Sequence, residues 1–440
     1  MKINIPKKVL FIINTLEKEA YEAYAVGGCI RDSIIGDTPK DWDICTSALP
    51  EQVKKCFKKY HVIETGLKHG TVTLMINRKP YEITTFRIDG DYSNNRHPDK
   101  VNFVRVLKDD LSRRDFTINS MAYNPTVGLV DYFNGVSDIK NRIIRCVGDA
   151  NKRFQEDALR IMRAIRFASV LGFDIETETS NAIDVNKELL QNIAVERISV
   201  ELNKLLTGIN ASKILLSFSS IIEEIIPELK PMIKFNENNP NIFNTWKHTI
   251  KSIQNIPEKV DLRLTMLLHD IRKPENNSTD GNKKHQQESS EAARKTLKRL
   301  KYDNKTIKMV KTLILYFDEN IQPDNIHVKR WLFNIGEETF RKLLIVKRAD
   351  ITSQEEINNK ELENLDVVSL VLAKIVEQNQ CYSLNTLAIN GKDLMDIGVP
   401  KGEEIGEILN QLLDLVINEK IKNDKQQLLK EAKKLSGVTP

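Results

Sequence analysis

Apolar positions follow two different spacings along the chain. Up to about residue 145 an initial helical stretch, Ile5–Ala20, is followed by short segments of alternating or β-branched residues. Such segments are typical of strands, and Asn77–Pro80 is predicted to be a hairpin connection between two of them. The predicted strands are Tyr24–Val26, Asp41–Cys45, Val72–Ile76, Tyr81–Phe86 and Val101–Val106.

Beyond about residue 150 the spacing changes to that of helices. Segments such as Phe154–Leu171 and Glu288–Leu300 carry apolar residues three and four positions apart, and strand signals nearly vanish. The sequence therefore predicts an α+β protein, with a mixed N-terminal part and an all-helical remainder. Polar breaks that mark loops or unit boundaries lie at Asn236–Asn241, Glu275–Lys284 and Gln354–Asn359.

Composition narrows the class of protein. At 440 residues the chain is too long for one core, and about 150 residues per domain predicts roughly three units. Few Gly and Pro and a charged fraction of 29% favour a helix-rich protein, whereas a net charge of +5 does not decide for or against a polyanionic partner. Local clusters of charge must decide that question.

Cysteine usage and the absence of long apolar runs bear on the compartment. The five cysteines are scattered and lack C-x-x-C spacing, which argues against disulfides and zinc ribbons and for a reducing compartment. The N-terminus has no cleavage signature, and no apolar run approaches the roughly 18 residues of a membrane span. We therefore expect a cytoplasmic protein with no membrane association.

The densest candidate chemistry lies between residues 25 and 50. Gly27 and Gly28 follow a predicted strand and precede a helix, so their backbone N–H groups are able to face a phosphate. Asp41 and Asp43 lie two apart on a predicted strand, which places both carboxylates on one face. An isolated D-x-D is more often a solvated strand end, but a third acid, Glu82, lies in another predicted strand. Three such carboxylates suit Mg²⁺.

These residues carry a family resemblance. GGCIRD at Gly27–Asp32, followed by Asp41-x-Asp43, resembles the signature of the polymerase-β-type nucleotidyltransferases, in the branch that holds the bacterial-type (class II) CCA tRNA nucleotidyltransferases and the poly(A) polymerases. RRDFTIN at Arg113–Asn119 extends the match. The resemblance implies a polymerase-β-like head with a mixed or antiparallel sheet, Mg²⁺ held by Asp41 and Asp43, and Glu82 as a third catalytic residue. It also implies nucleotide contacts by Gly28, Arg31, Arg113, Arg114, Asp115 and Asn119.

The segment Gly148–Leu171 is predicted to be one amphipathic helix. At 100° per residue Arg153, Asp157 and Arg160 share a narrow face opposite an apolar stripe. Two interpretations stand: a surface helix with ion pairs at helical spacing, or a reader of base edges. In the second, a carboxylate accepts from the exocyclic amine of cytosine or adenine, and a guanidinium donates to ring acceptors.

The family resemblance favours base reading. Glu156-Asp157-x-x-Arg160 resembles the EDxxR motif of the class II tRNA nucleotidyltransferases, which implies nucleotide contacts by Asp157, Arg160, Arg163 and Arg166. Other matches imply a hinge between head and neck, a structural brace and a flexible loop within Arg87–Phe103. Their residues are Asp149 and Arg153 for the hinge, Glu196, Arg197 and Glu201 for the brace, and Tyr92, Arg96 and Pro98 for the loop.

A second pattern of metal-ligand residues lies downstream. His248, His269-Asp270 and Asp350 have the order H…HD…D of the HD metal-dependent phosphohydrolases, and such a set is able to hold a hydrolytic metal. Arg272 stands where active members usually have Gly, and the segment LILYFDE lacks a further His. We therefore expect a retained helical scaffold rather than an active hydrolase. His285 is interpreted as a loop histidine.

The resemblance covers nearly the whole chain and implies four parts: a nucleotidyltransferase head (1–146), a neck that reads the base (147–206), an HD-like helical body (207–355) and a tRNA-binding helical tail (356–440). In the tail, Gly398 and Gly402 are either helix caps or a phosphate contact, and Lys420–Lys434 is a basic amphipathic helix. The implied partners are tRNA, ATP and CTP.

The function expected from these residues is addition of C, C and A to the 3′ end of tRNA by two-metal phosphoryl transfer. The alternatives are a poly(A) polymerase or a CC- or A-adding relative, which share the head motifs, and a phosphohydrolase run by the HD residues. A non-catalytic RNA-binding protein is disfavoured by the intact carboxylates. The sequence leaves the oligomeric state open.

Overall fold

A seven-stranded mixed sheet forms the centre of the N-terminal part of the chain. The strand order is β3-β4-β5-β2-β1-β8-β9, and only β2 and β5 run parallel among these neighbours. The strands are β1 (Ala23–Val26), β2 (Asp43–Thr46), β3 (His61–Gly66), β4 (Thr71–Ile76), β5 (Lys79–Thr85), β8 (Met121–Asn124) and β9 (Gly128–Asp131). Two small ladders join β6 (Arg87–Asp89) to β7 (Val101–Phe103) and β10 (Ile143–Ile144) to β11 (Asp174–Ile175).

This computed structural model describes residues 1–90, 100–235, 245–272 and 282–436. Two compact units divide the chain at Pro227 and Glu228. Among the described residues, no helix is both long and apolar enough to cross a membrane. The expected α+β class, with a mixed sheet followed by helices, is confirmed.

The predicted strands are present, but one of them begins later than expected. The predicted hairpin turn is Asn77–Arg78, both left-handed at φ of 52° and 63°. The strand expected from Asp41 begins at Asp43, because its partner β1 ends at Val26, which pairs with Asp43, and the chain then turns away at Gly27. The prediction that Asp41 lies within the strand was therefore wrong. The sequence analysis also missed β3, β6, β8, β9, β10 and β11.

Eleven helices surround the sheet and form the remainder of the first unit among the residues described there. The first, α1, buries its apolar stripe of Val9, Ile12, Ile13 and Leu16. The helices are α1 (Lys7–Lys18), α2 (Gly28–Ile35), α3 (Pro50–Cys56), α4 (Leu107–Ser112), α5 (Gly135–Asn141), α6 (Ala150–Glu156), α7 (Leu159–Leu171), α8 (Thr177–Asn186), α9 (Val195–Leu206), α10 (Ala211–Ser217) and α11 (Ser219–Ile225).

The neck is not one continuous helix, so that prediction was wrong. Helix α6 ends at Glu156 and α7 begins at Leu159, and Asp157 between them is extended at φ −137° and ψ 101°. The Asp157 carboxylate accepts from the N–H of Leu159 at 3.1 Å. Asp side chains compete for backbone N–H groups in this way and favour helix ends over helix interiors. The break means that Arg153 and Arg160 do not lie on one regular helical face.

The second unit is helical throughout its described residues. Its helices are α12 (Lys230–Phe235), α13 (Thr245–Gln254), α14 (Val260–Leu268), α15 (Asn282–Arg299), α16 (Asn304–Leu315), α17 (Asn325–Ile335), α18 (Glu337–Ile351), α19 (Asn359–Glu377), α20 (Gly391–Asp396), α21 (Glu403–Ile417) and α22 (Lys425–Ser436). The last three share a core of their own that includes Leu394, Leu412 and Leu428.

Candidate active site

Asp43 and Glu82 lie side by side on the parallel pair of strands. Ile44 of β2 pairs with Ile83 of β5, so the residues that precede them point to the same face of the sheet. Both acids, and Asp41 just before β2, are exposed. The register of one pair of strands therefore assembles the carboxylates that the sequence analysis singled out.

The three carboxylates act on one another electrostatically. The protein atoms packed around Asp43 remove part of its water and raise the pKa of its carboxyl, and the negative charges of Glu82 and Asp41 raise it further. The guanidinium of Arg114 opposes this shift. A site where ionised carboxylates repel one another favours a cation among them, and an all-oxygen donor set suits a hard divalent ion. The residues present thus fit a divalent metal.

The glycine turn beside these acids brings the arginines close. Gly27 has φ of +83°, which side chains with a Cβ rarely adopt, and a Cβ there would lie 3.2 Å from Nη1 of Arg114. Gly28 opens α2, and its Cβ would lie 3.6 Å from Nη2 of Arg31. The Gly27 turn therefore leaves room for the Arg114 guanidinium next to the start of a helix, where anions bind readily.

Asp110 is a site residue that the sequence analysis missed. Its side chain is fully buried, and its two carboxylate oxygens accept from Arg113 at 2.8 Å and from Arg114 at 3.2 Å. Burial alone would raise the pKa of Asp110, but the two guanidiniums hold it below its usual range. The available signal was its spacing three and four residues before the arginine pair, the spacing of contacts on a helix.

Asp115 and Asn119 connect the head to the neck. Asp115 accepts from Nη2 of Arg163 at 2.5 Å and from the amide of Asn119 at 3.2 Å, and the oxygen of that amide accepts from Arg31 at 2.5 Å. Burial would raise the pKa of Asp115, but the charge of Arg163 and its hydrogen bonds keep it far below the ordinary value. The structure thus brings four of the expected nucleotide-binding residues into one network.

Arg160 lies against both the head and the end of α6. Its Nη1 donates to Glu156 at 2.7 Å and to the carbonyl of Arg153 at 3.2 Å, and its Nη2 donates to the carbonyl of Arg113 at 3.0 Å. These three bonds use three of its five N–H groups. Its expected contact with a base edge stays a prediction.

Asp157 is held by the neck rather than by Arg160. One oxygen accepts from the Leu159 N–H, and the other accepts from Arg197 of α9 at 3.2 Å. The expected brace residue Arg197 therefore supports the expected base reader directly. At the other end of α6, Asp149 caps the helix by accepting from the N–H of Asn151 at 2.8 Å.

Arg166 lies deeper than the other neck arginines. It is 9% exposed and donates to Glu201 of α9 at 2.8 Å. Burial lowers the pKa of the Arg166 guanidinium, and the charge of Glu201 offsets part of that shift. Its expected contact with a nucleotide stays a prediction. The loop residues Tyr92, Arg96 and Pro98 lie outside the described residues.

The second unit brings the H…HD…D residues together. Nε2 of His248 lies 2.6 Å from Asp350, and Nε2 of His269 lies 3.6 Å from the same oxygen and 3.4 Å from Asp270. In the described part of the chain, His248, His269 and Asp350 are the group of three whose ligand atoms all lie within 4.8 Å of one another. Burial would raise the pKa of Asp350, but hydrogen bonds from the two histidines hold it far below its ordinary value.

His285 was interpreted as a loop histidine, and that interpretation was wrong. It lies in α15, with its side chain 13% exposed and Nε2 3.6 Å from Asp270. The surrounding sequence, KKHQQES, is polar enough to resemble a loop, because α15 as a whole is a polar helix with few apolar positions. A fifth ligand-type side chain therefore borders the cluster.

The tail glycines are helix caps. Gly398 follows α20 in the left-handed region at φ +100°, and Gly402 immediately precedes α21. The first turn of α21 carries Glu403 and Glu404. Acids at a helix N-terminus satisfy its positive end and repel a phosphate, so this feature favours the capping interpretation.

Three families of known proteins match parts of the chain. The poly(A) polymerase head domain matches residues 23–145, the probable RNA- and SrmB-binding site of polymerase A matches residues 172–233, and the putative domain 2 of tRNA nucleotidyltransferases matches residues 285–432.

Individual relatives match over nearly the full length. The CCA-adding enzyme of Pediococcus pentosaceus is 35% identical over 96% of each chain. The crystal structure of the Bacillus stearothermophilus CCA-adding enzyme in complex with CTP is 30% identical, covers 98% of each chain and has a TM-score of 0.68. The Thermotoga maritima CCA-adding enzyme complexed with tRNA is 20% identical over 98% of this chain and 99% of that one, with a TM-score of 0.60, and shows the same fold.

The raised pKa of Asp43 generates a prediction about stability. A carboxyl with a raised pKa in the folded state costs stability when ionised, and this cost is present at neutral pH and disappears as the pH falls through that pKa. We expect Asp43→Asn to raise the melting temperature of the metal-free protein at pH 7, and the gain to shrink towards pH 4. Asp396→Asn, which changes an exposed carboxylate at the end of α20 in the second unit, is the control. A lower melting temperature for Asp43→Asn in chelator would contradict the repulsion.

Proposed function

The chain belongs to the family of the CCA-adding enzymes, and we propose that Asp41, Asp43 and Glu82 form the catalytic centre with which it completes tRNA. It is a nucleotidyltransferase that adds C, C and A to the 3′ end of tRNA from CTP and ATP without a nucleic-acid template. The relative solved with CTP supports that substrate for the chain, and the CCA-adding enzymes at 35% identity support tRNA completion.

The observation that carries the assignment of residues is the parallel register of β2 and β5. It places Asp43 and Glu82 on one face, beside the Gly27 turn and the guanidinium of Arg114. The carboxylates and a guanidinium that acts on Asp43 are thereby neighbours at one end of the parallel pair of strands. This is the arrangement that phosphoryl transfer requires, because catalysis there is mainly positioning and charge stabilisation.

We propose that the metal is Mg²⁺ and that Asp41 and Asp43 hold it. Enzymes of this family generally depend on a divalent metal, and the mutual repulsion at Asp43 fits a cation among the acids. When bound, Mg²⁺ supplies charge neutralisation at the phosphates and lowers the pKa of a coordinated hydroxyl. Glu82 lies on the same face and is positioned to orient the attacking 3′-hydroxyl.

The arginines bind the remainder of the nucleotide. Asp110 fixes Arg113 and Arg114 through both carboxylate oxygens, so their guanidiniums are oriented before substrate arrives. Such preorganisation reduces the entropy lost on binding. In this proposal Arg113 and Arg114 steady the triphosphate, and in-line attack on the α-phosphate releases pyrophosphate.

The neck selects the base. Asp157 and Arg160 recognise opposite kinds of group on a base. The carboxylate of Asp157 only accepts hydrogen bonds, and the guanidinium of Arg160 only donates them. Cytosine and adenine both carry an exocyclic amine, whereas uracil does not, so this pair discriminates by hydrogen bonding. We propose that the bonds of Asp157 to Arg197 and of Arg160 to Glu156 hold both readers in place between additions.

We also propose the four-part division given above for the chain, with the reaction in the cytoplasm. All five cysteines are free, which suits a reducing compartment. The tail, 356–440, is proposed to contact tRNA through its basic last helix, α22, where Lys433 and Lys434 lie in the final turn.

The first test of this function uses the carboxylates. We expect Asp41→Asn and Asp43→Asn each to reduce incorporation of labelled CMP and AMP below about 1% of the wild-type rate, because the removed charge stabilises the transition state. Binding of tRNA, measured by filter retention, should stay within about twofold, since it depends on distant basic groups. Full incorporation by either variant would remove that residue from the centre.

The base readers generate a second test. We expect Asp157→Ala to raise incorporation of UMP relative to CMP by about 5- to 150-fold, which corresponds to a lost contact of about 1–3 kcal/mol. The matched control is Asp184→Ala, which removes an exposed carboxylate of the neck helix α8 that is not among the expected base readers. Loss of discrimination in both variants would assign Asp157 to neck stability.

The relatives with partial specificity are separated by product length. Labelled CTP and ATP are offered separately and together to tRNA that lacks its last three nucleotides. A CCA-adding enzyme adds two C residues from CTP alone and then one A when ATP is present. A CC-adding enzyme stops after the second C, and a poly(A) polymerase adds a run of A from ATP alone.

The cluster in the second unit favours a second candidate function. Two imidazoles and two carboxylates form a donor set that suits transition metals such as Zn²⁺ or Mn²⁺, and these donors are already convergent and largely buried. We propose that His248, His269, Asp270 and Asp350 bind one such ion. Metal there would cross-link α13, the end of α14 and α18, and would add Lewis-acid chemistry towards a phosphoester.

Metal content tests this candidate directly. We expect the purified chain to retain about one equivalent of a transition metal after dialysis, measured by elemental analysis, and His269→Ala to lose it. His327→Ala, which changes an exposed histidine in the same unit, should retain the metal. Release of product from 2′,3′-cyclic nucleotides by the wild type but not by His269→Ala would identify a hydrolase. Absence of metal in the wild type would leave a helical scaffold.

A further inference from the structure

Three arginines converge on one buried aromatic ring in the neck. The ring of Phe167 in α7 is 4% exposed, and the Cζ atoms of Arg166, Arg31 and Arg163 lie 3.5, 4.9 and 5.4 Å from its centroid. Guanidiniums within about 6 Å of a ring are attracted by its negative face. Three such contacts bring three like charges to one buried ring, two of them from the buried side chains of Arg31 and Arg166 and one from the partly exposed Arg163.

Each of these guanidiniums also has a carboxylate partner. Arg31 pairs with Asp32 at 2.6 Å, Arg163 with Asp115 at 2.5 Å and Arg166 with Glu201 at 2.8 Å. The carboxylates neutralise the charges one by one. These carboxylates do not lie between the guanidiniums and the ring. All three guanidiniums remain within 5.4 Å of the centroid of Phe167.

The ring also joins the two parts of the nucleotide site. Arg31 comes from the head, whereas Arg163 and Phe167 come from the neck. On the head side, Phe116 packs edge-on against Phe167 with ring centroids 5.8 Å apart. A displacement of Phe167 would therefore change the positions of donors on both sides of the bound nucleotide.

We propose that Phe167 is a positioning residue for nucleotide binding, because the negative face of its ring fixes the guanidiniums of Arg31 and Arg163. This inference rests on the proposed roles of those two arginines. Phe167 itself does not touch the nucleotide. It acts by keeping three cations close together, with their donors held in one geometry.

An electrostatic role of the Phe167 ring predicts an effect that a role in packing alone does not predict. A buried guanidinium has lost much of its water, so a polarisable negative surface stabilises it more than at an exposed site. Burial lowers the pKa of Arg166, which is consistent with such a loss of water. A ring of the same size with a weaker quadrupole would fill the same space but would hold the arginines less firmly.

Stepwise fluorination at Phe167 tests the proposal. Phenylalanine, 4-fluoro-, 3,5-difluoro- and 3,4,5-trifluorophenylalanine are introduced at position 167 of the full chain by nonsense suppression. We expect the KM for CTP and for ATP to rise with each fluorine, to about tenfold for the trifluoro ring, a value within the range of measured cation–π energies. The expected change in kcat is less than about threefold, and tRNA affinity should not change.

The same series at Phe57 is the matched control. Phe57 is 1% exposed and packs against the rings of Phe11 and Tyr60 in the head, and no guanidinium is recorded over its ring in the described residues. A KM that does not change across the fluorinated series at position 167 would overturn the proposal. An equal rise in KM across the series at position 57 would overturn it as well. A lower melting temperature with a flat KM would also overturn it, because it would show a role in packing alone.

Two further variants distinguish a failure of the proposed function from a failure of the inference about Phe167. Arg31→Lys and Arg163→Lys keep the charge but lose the planar fork of donors. If both leave the KM for CTP unchanged, the arginines do not bind the nucleotide, and the inference about Phe167 falls with their roles. If they raise it while fluorination has no effect, the roles stand and the inference about the ring is wrong.

Discussion

The ion pair between Asp115 and Arg163 is the contact on which the arrangement of the site depends. Asp115 belongs to the motif that follows α4 in the head, and Arg163 belongs to the neck helix α7. Because Asp115 also holds Asn119, which in turn holds Arg31, one buried carboxylate fixes donors from both sides of the nucleotide site. Removal of the guanidinium would leave a buried, unpaired carboxylate and would strongly destabilise the folded protein. Head and neck are thus coupled through charge, and not only through apolar packing.

The sequence predicted the parts of the site that follow from short motifs. The glycine turn and the hairpin at Asn77–Arg78 depend on local spacing, and the structure has both. The position of Glu82 beside Asp43 depends on the pairing of β2 with β5, and the family resemblance, not the spacing, implied that the two residues share a site. Asp110 was missed because its importance comes from burial, which a single sequence does not reveal. The strand start at Asp43 was missed because it is set by where the partner strand β1 ends.

Two further differences between prediction and structure arise at polar residues, where the spacing of apolar positions predicts helices poorly. His285 was assigned to a loop because its neighbours are polar, yet α15 begins at Asn282, several residues before the periodic segment that starts at Glu288. Asp157 has the spacing of a helical residue, yet its side chain bonds to the next turn and ends α6. In both cases, contacts that the spacing of apolar residues does not reveal determine where the helix begins or ends.

The break at Asp157 also changes the mechanics of the neck. Helix α6 packs mainly on α8, and α7 packs mainly on α9, so the neck consists of two separately packed pairs. An uninterrupted helix transmits a displacement along its length as a rod. Here one extended residue, Asp157, joins the two pairs, and the ion pair of Glu156 with Arg160 spans the break. The placement of Arg160 relative to α6 therefore depends on the backbone torsions of a single residue and on one ion pair, and not on the stiffness of a continuous helix.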